Sequence, residues 1–164
     1  MTLAATHLVR LLTRELEGFE RELSMFPDDE SMWRTAPGVT NSAGNLALHV
    51  AGGLQYFVGA VLGGTGYVRD RDQEFSRRSG TRSELIAEIK KSAAIVRDVL
   101  PRVESRLAGE FPEPLMGATL PADLFLLHLC VHAGFHLGQA GYVRRVVTGD
   151  ATSSGPLPLL ALAG

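Results

Sequence analysis

Residues 121–149, PADLFLLHLCVHAGFHLGQAGYVRRVVTG, decide how the rest of the chain is read. Pro121 suits the first turn of a helix, where its missing N–H is no loss. Gly149 suits the residue just past a helix end. No proline interrupts the run between them, which predicts a helix to about Val147. His128, His132 and His136 recur every fourth residue, so they form one stripe turning only ~40° per step. Adjacent members of that stripe stand one above the other and can reach a single metal ion. The outer two are ~12 Å apart along the axis and cannot readily share it. Geometry leaves the pairs His128/His132 and His132/His136 both open.

Three more helices can be read outward from this one. The first runs from about Thr2 to Met25, with Leu8, Leu11, Leu12, Leu16, Phe19 and Leu23 at three- and four-residue steps and charges between. Phe26-Pro27-Asp28-Asp29 ends it. The second opens near Thr40 or Asn41, both N-cap types, and reaches Leu62, where Gly63-Gly64-Thr65-Gly66 stops it. The third opens on Thr81-Arg82-Ser83-Glu84, a capping-box pattern. It continues to about Leu107 on the stripe Leu85, Ile89, Val96, Val99, with Pro101 expected to kink or divide it. Tyr67 to Gly80 is charge-rich and reads as irregular. Gly109 to Leu120, with Pro112, Pro114 and Gly117, reads as a loop. No run shows the β-branched alternation of a sheet. The expected fold is all-α, a four-helix bundle over residues 1–148 with an irregular tail at 149–164. The tail's Leu157, Leu159, Leu160 and Leu162 suggest that part of it docks on an apolar surface. Helix order and handedness stay open.

The bulk numbers exclude several classes. A chain of 164 residues, 45% hydrophobic and 21% charged, is of ordinary single-domain size and composition. A net charge of −2 gives no basic footprint for nucleic acid. The single cysteine, Cys130, excludes an internal disulfide and a cysteine-built zinc cage. It fits a reducing compartment. The start, Met1-Thr2-Leu3-Ala4, lacks the features of a secretory signal, so a cytoplasmic location is expected. Leu46 to Gly64 carries no Asp, Glu, Lys or Arg and approaches the length of a membrane span. His49, Gln55 and several glycines fit a buried core helix better.

His49, in the second helix, can supply a third imidazole if that helix packs beside the fourth. Three protein ligands with an open position is the arrangement of a catalytic metal. Zinc, nickel, copper and iron all accept imidazole. Gln139 lies three residues beyond His136 on the same face, placed to hydrogen-bond a ligand histidine or a metal-bound water. A polar helix edge is the plain alternative. His7 reads as a core residue. Cys130 lies ~200° round the helix from His132 and reads as a small buried side chain. Gly134, Gly138 and Gly141, like Gly44, Gly52, Gly53 and Gly59, suggest close helix approach, within the bundle or across a dimer.

The pattern Asn45-Leu46-Ala47-Leu48-His49-Val50-Ala51-Gly52, followed by His132-x-x-x-His136-x-Gly138-Gln139, resembles the DinB/YfiT-like superfamily. Arg69-Asp70-Arg71-Asp72-Gln73-Glu74-Phe75 is similar to the Arg-Asn-Arg-Asp-x-Glu-Phe stretch of one branch. The likeness spans roughly Leu8 to Val147. It implies a four-helix bundle with a divalent metal on His49, His132 and His136, leaving His128 a supporting or structural place. It also implies a homodimer and, in several branches, thiol-dependent transferases or isomerases using mycothiol or bacillithiol. Two departures stand out. Gly53 occupies a position where that branch commonly has Asn, and Asp70 replaces the Asn of the loop.

The leading expectation is a metal-dependent enzyme, a thiol S-transferase or related hydrolase, acting on a small molecule with zinc, nickel or iron and a low-molecular-weight thiol. Arg69 and Arg71 are candidates to hold an anionic substrate group, against the plainer reading of a solvated loop or dimer contact. Glu74 and Asp72 are possible bases only if the loop folds over the site. No nucleophile motif assigns a catalytic residue. The alternative is a non-catalytic dimeric module braced by the metal. A third reading has the histidines bind no metal and form a hydrogen-bonded core.

Overall fold

The structure is a computed structural model that describes residues 4–155 and 157–162. It contains α1 (Ala5–Ser24), α2 (Ala43–Leu54, continuing as π-helical turns over Gln55–Leu62), α3 (Arg71–Ser76), α4 (Arg82–Arg102) and α5 (Ala122–Thr148). Among the described residues there is no strand, only two isolated bridges, Glu110 with Pro121 and Leu115 with Ala118. The expected start of the first helix at Thr2 lies outside the described residues.

Each long helix buries the stripe its sequence offers. Leu8, Leu12, Leu16, Phe19 and Leu23 of α1 are buried, as are Leu85, Ile89, Val96 and Val99 of α4. The apolar helix Ala43–Leu62 is long enough to cross a membrane, but 72% of its apolar stretch is buried inside the bundle. It is the core helix that its histidine and glutamine suggested.

α1 packs on α4 and α5, and α2 packs on the same two helices, so α1 lies diagonally from α2. Pairs along the seams fix the directions. Gly18 meets Leu137 and Gly141 meets Glu22, so α1 and α5 are parallel. Gly59 meets Ile95 and Gly63 meets Val99, so α2 and α4 are parallel as well. Ion pairs from Glu20 to Lys90 and from Glu17 to Arg97 run α1 antiparallel to α4. Parallel neighbours cannot be joined by a tight turn; the chain must first travel back along the bundle. Residues 63–81 make that return across α2, and they carry α3 past His49.

Several boundaries differ from expectation. Ser42, not Thr40 or Asn41, caps α2: its Oγ accepts from Asn45 N at 3.2 Å, while Asn45 Oδ1 accepts from Ser42 N at 3.3 Å. Thr81 and Glu84 form the expected capping box on α4. That helix stops at Arg102 with Pro101 in its last turn, and a short 3₁₀ turn, Glu104–Arg106, carries the chain to buried Leu107. Gly149, at φ 72°, ends α5 in the left-handed conformation. In the tail, Leu157 packs beside Gly18 and Arg10 donates to Leu162 O at 3.1 Å. Leu159 and Leu160 stay exposed.

Candidate metal centre

α2 and α5 lie side by side, which brings His49 to the pair on α5. His132 Nε2 lies 3.1 Å from His49 Nε2 and 3.1 Å from His136 Nε2. The ligand atoms of all three lie within 4.8 Å of one another. Zinc–imidazole bonds of ~2.0–2.1 Å in a tetrahedron place their nitrogens ~3.3 Å apart. The two spacings from His132 Nε2 are close to that.

The outward nitrogens are held from behind. Glu74, on α3, faces His49 Nδ1 at 2.9 Å through Oε2. Gln139 Oε1 faces His136 Nδ1 at 2.7 Å, the contact anticipated from its position on the helix. Arg69 donates to both Glu74 oxygens, Nε to Oε1 at 2.6 Å and Nη2 to Oε2 at 2.8 Å. α3 is itself pinned to α2, because Asn45 Nδ2 donates to the carbonyls of Glu74 and Arg77, each at 2.9 Å. Gly52 leaves the room this needs: a Cβ there would stand 2.2 Å from Glu74 Oε1.

Counting protons shows what the cluster lacks. Burial alone would raise the Glu74 carboxyl, but hydrogen bonds from His49 and Arg69, with the Arg69 charge, hold it below its ordinary value. An ionised carboxylate only accepts, and Glu74 Oε2 at 2.9 Å is closer to Nδ1 than Arg69 Nη2 at 3.2 Å, so the His49 proton is assigned to Nδ1. His136, donating to Gln139 Oε1, does the same. Their Nε2 atoms are therefore bare, and both face His132 Nε2, which can offer at most one proton. At least one lone pair is left facing another, an arrangement a cation at the centre relieves. A proton fills that place poorly. Burial, followed by the neighbouring histidines His136 and His49, lowers His132 to about 4. Burial lowers His136 too, against the opposing bond to Gln139. Three converging imidazoles, two of them supported at the outer nitrogen, suit a divalent metal.

The other expected residues are placed as follows. His128 is exposed, its ring 6.0 Å from that of His132, and it stays outside the converging set. Arg69 lines the cavity beside the histidines and gives Nε and Nη2 to Glu74. Arg71 is exposed and stacks on Phe75 at 5.1 Å. Asp72 is exposed. Cys130 is buried, and burial first, then the Glu15 charge, pushes its thiol up to about 12. Asp70 caps α3, accepting from Gln73 N at 3.0 Å. Asp and Asn cap about equally well, so this departure from the branch pattern keeps the local fold. Glu74 is the residue whose place in the centre sequence reasoning left conditional. Its signal was the Asp70 cap, which fixes the side of α3 on which Glu74 falls.

A cavity of about 560 Å³ opens beside the histidines, between α2, α5 and the loop before α5. Gly53, the other departure, lines it without a side chain.

A family model described as the DinB superfamily matches residues 11–140. The chain is also similar to a solved structure described as "Crystal structure of the conserved protein of locus from Enterococcus faecalis". The identity is 20% and the TM-score 0.70, with 87% of this chain and 96% of that one covered. At that identity the likeness speaks for the fold alone. No curated protein matches.

Proposed function

The chain belongs to the DinB superfamily, and from that premise we propose that it is a divalent-metal-dependent enzyme, a thiol S-transferase or related hydrolase. The observation that supports this reading is the convergence of three imidazole Nε2 atoms with one proton too few among them. His49, His132 and His136 would hold zinc, nickel or iron. A cation with three such ligands and an open position lowers the pKa of a thiol or water bound to it, making a nucleophile near neutral pH. The chain's own groups supply the rest. Glu74 and Gln139 keep His49 and His136 in the tautomer that turns Nε2 inward. Arg69 keeps Glu74 ionised. The cavity beside the cluster holds a small-molecule substrate and limits water. Arg71, at the cavity rim, is free to meet an anionic group of a low-molecular-weight thiol.

The second reading is a module that the metal braces without catalysis. It is favoured by the tightness of the Glu74–Arg69–His49 set, which would stiffen the bundle with or without turnover. A cytoplasmic homodimer is part of either reading. The exposed apolar face of α5 is the surface proposed for the dimer.

The test is metal content by mass spectrometry on tag-free protein, for wild type and His49→Ala. About one metal per chain in wild type and none in the variant supports the centre. Turnover is then sought across thiols and electrophiles. Wild type that takes up no zinc, nickel or iron on reconstitution overturns the reading. Metal without turnover, and without exchangeable water at the open position, leaves the brace.

A further inference from the structure

The cavity beside the histidines has walls that choose among ligands. Leu54, Phe57, Leu120, Phe125 and Leu129 line it, with Leu115 from the loop. Phe57 and Phe125 meet edge to face at 5.0 Å, and Phe111 buttresses Phe125 at 4.6 Å. This aromatic end is built from α2, α5 and the loop together.

Several polar groups of the lining are tied down. Arg69 gives Nε and Nη2 to the two oxygens of Glu74. Tyr56 Oη sits 2.9 Å and 3.0 Å from the two oxygens of Glu113, so one hydroxyl proton ties that carboxylate to α2. Arg71 is exposed at the rim and stacked on Phe75. His49 and His132 belong to the metal centre, and His128 lines the cavity from an exposed position. At the aromatic end, away from these groups, a charged ligand body would lose its hydration and meet no counter-charge. An apolar one would gain from leaving water. The volume of about 560 Å³ lies within the range of small-molecule sites. The loop is held in place by the Phe111 N–H donating to Leu120 O at 2.9 Å and by the Tyr56–Glu113 tie.

We infer that the substrate body taken into this cavity is uncharged and apolar, carrying an aromatic or branched aliphatic group, with its reacting end toward His49 and His132. This rests on the metalloenzyme reading for the word substrate, but the ligand class itself does not depend on turnover.

Fluorescence titration with N-phenylnaphthylamine and with its sulfonated analogue, anilinonaphthalene sulfonate, tests this on metal-free and zinc-loaded full-length protein. The two share one skeleton and differ by a fixed negative charge. The uncharged probe should bind, and the sulfonate at least about tenfold more weakly. Leu120→Trp, which fills the cavity from the loop, should abolish binding while zinc content and melting temperature hold. Leu115→Trp serves if the first variant misfolds. His49→Ala should lose zinc and keep the probe. Equal or tighter binding of the sulfonate overturns the inference, as does failure of the uncharged probe to bind. So does binding that survives both loop variants. Probe binding as expected with no turnover on any thiol panel would remove the proposed activity and leave the ligand class standing.

Discussion

Glu74 accepts from two partners at once, His49 and Arg69, and the order of the centre depends on that. Replacing it with Gln keeps the shape but removes the charge that fixes the His49 tautomer and pairs Arg69. Metal affinity of Glu74→Gln should fall ~10–100-fold, read by competition with a chromophoric chelator. Unchanged affinity would show that Glu74 does not support the site. His132 gives a second test. Its folded value of about 4 lies below the ordinary 6.5. The unfolded chain therefore takes up the proton first, and this group's penalty on folding is absent above 6.5. Stability of the metal-free protein should fall as pH drops from 6.5 to about 4, and His132→Gln should flatten that slope in urea titrations. A slope that the variant leaves unaltered would contradict it. The α5 histidines were legible because helical periodicity makes neighbours of residues four apart. Glu74 was not, because it lies 25 positions from His49 and meets it only through the path of the connecting segment.

α3 is six residues long, too short for a periodic stripe, so Tyr67 to Gly80 read as irregular. What organises it is the Asp70 cap and Asn45, reaching from α2 to two of its carbonyls. The long helices were legible because each carries several turns of apolar repeat and a capping residue. The loop before α5 offers an element-scale prediction. Leu115 and Ala118 exchange both backbone hydrogen bonds, at 2.8 and 2.9 Å, around Met116 at φ 51° and Gly117 at φ 83°. A two-residue turn with both central residues left-handed favours Asn-Gly. Met at the first of these positions costs ~1–2 kcal/mol, and its side chain is fully exposed. Met116→Asn should therefore raise the melting temperature by a few degrees, on the order of 2–4 °C per kcal/mol at this chain length. A lower melting temperature would mean that the Met116 side chain makes contacts worth more than the strain.

Helix order was illegible because it is written in long-range pairs. Arg144, a residue type expected at the surface, is fully buried and donates to Glu22 Oε2 at 2.7 Å, locking α5 to α1. The up-down-down-up course of α1, α2, α4 and α5 then forces residues 63–81 to run back over the centre. The same arrangement leaves one face of α5 without a neighbour among the described residues. From Leu124 to Val143 that helix has no charged residue, a length of ~30 Å. On the open side it exposes Leu124, Val131, Phe135, Tyr142 and Val146. A second copy laid antiparallel about Phe135 would oppose Leu124 to Val146 and Val131 to Gln139. It would also bring Asp123 near Arg145 of the other copy. A surface that complements itself under a twofold axis is what an isologous dimer requires. Wild type should then sediment at twice its 17.6 kDa chain mass. The double variant Val131→Glu, Phe135→Lys should sediment as a monomer with its zinc content intact, because neither side chain enters the histidine cluster. Asp123→Arg alone should weaken association, and restoring charge with Arg145→Asp should recover part of it. A wild type that stays monomeric at high protein concentration would sink the dimer. A dimer that ignores all of these substitutions would move the seam to another face.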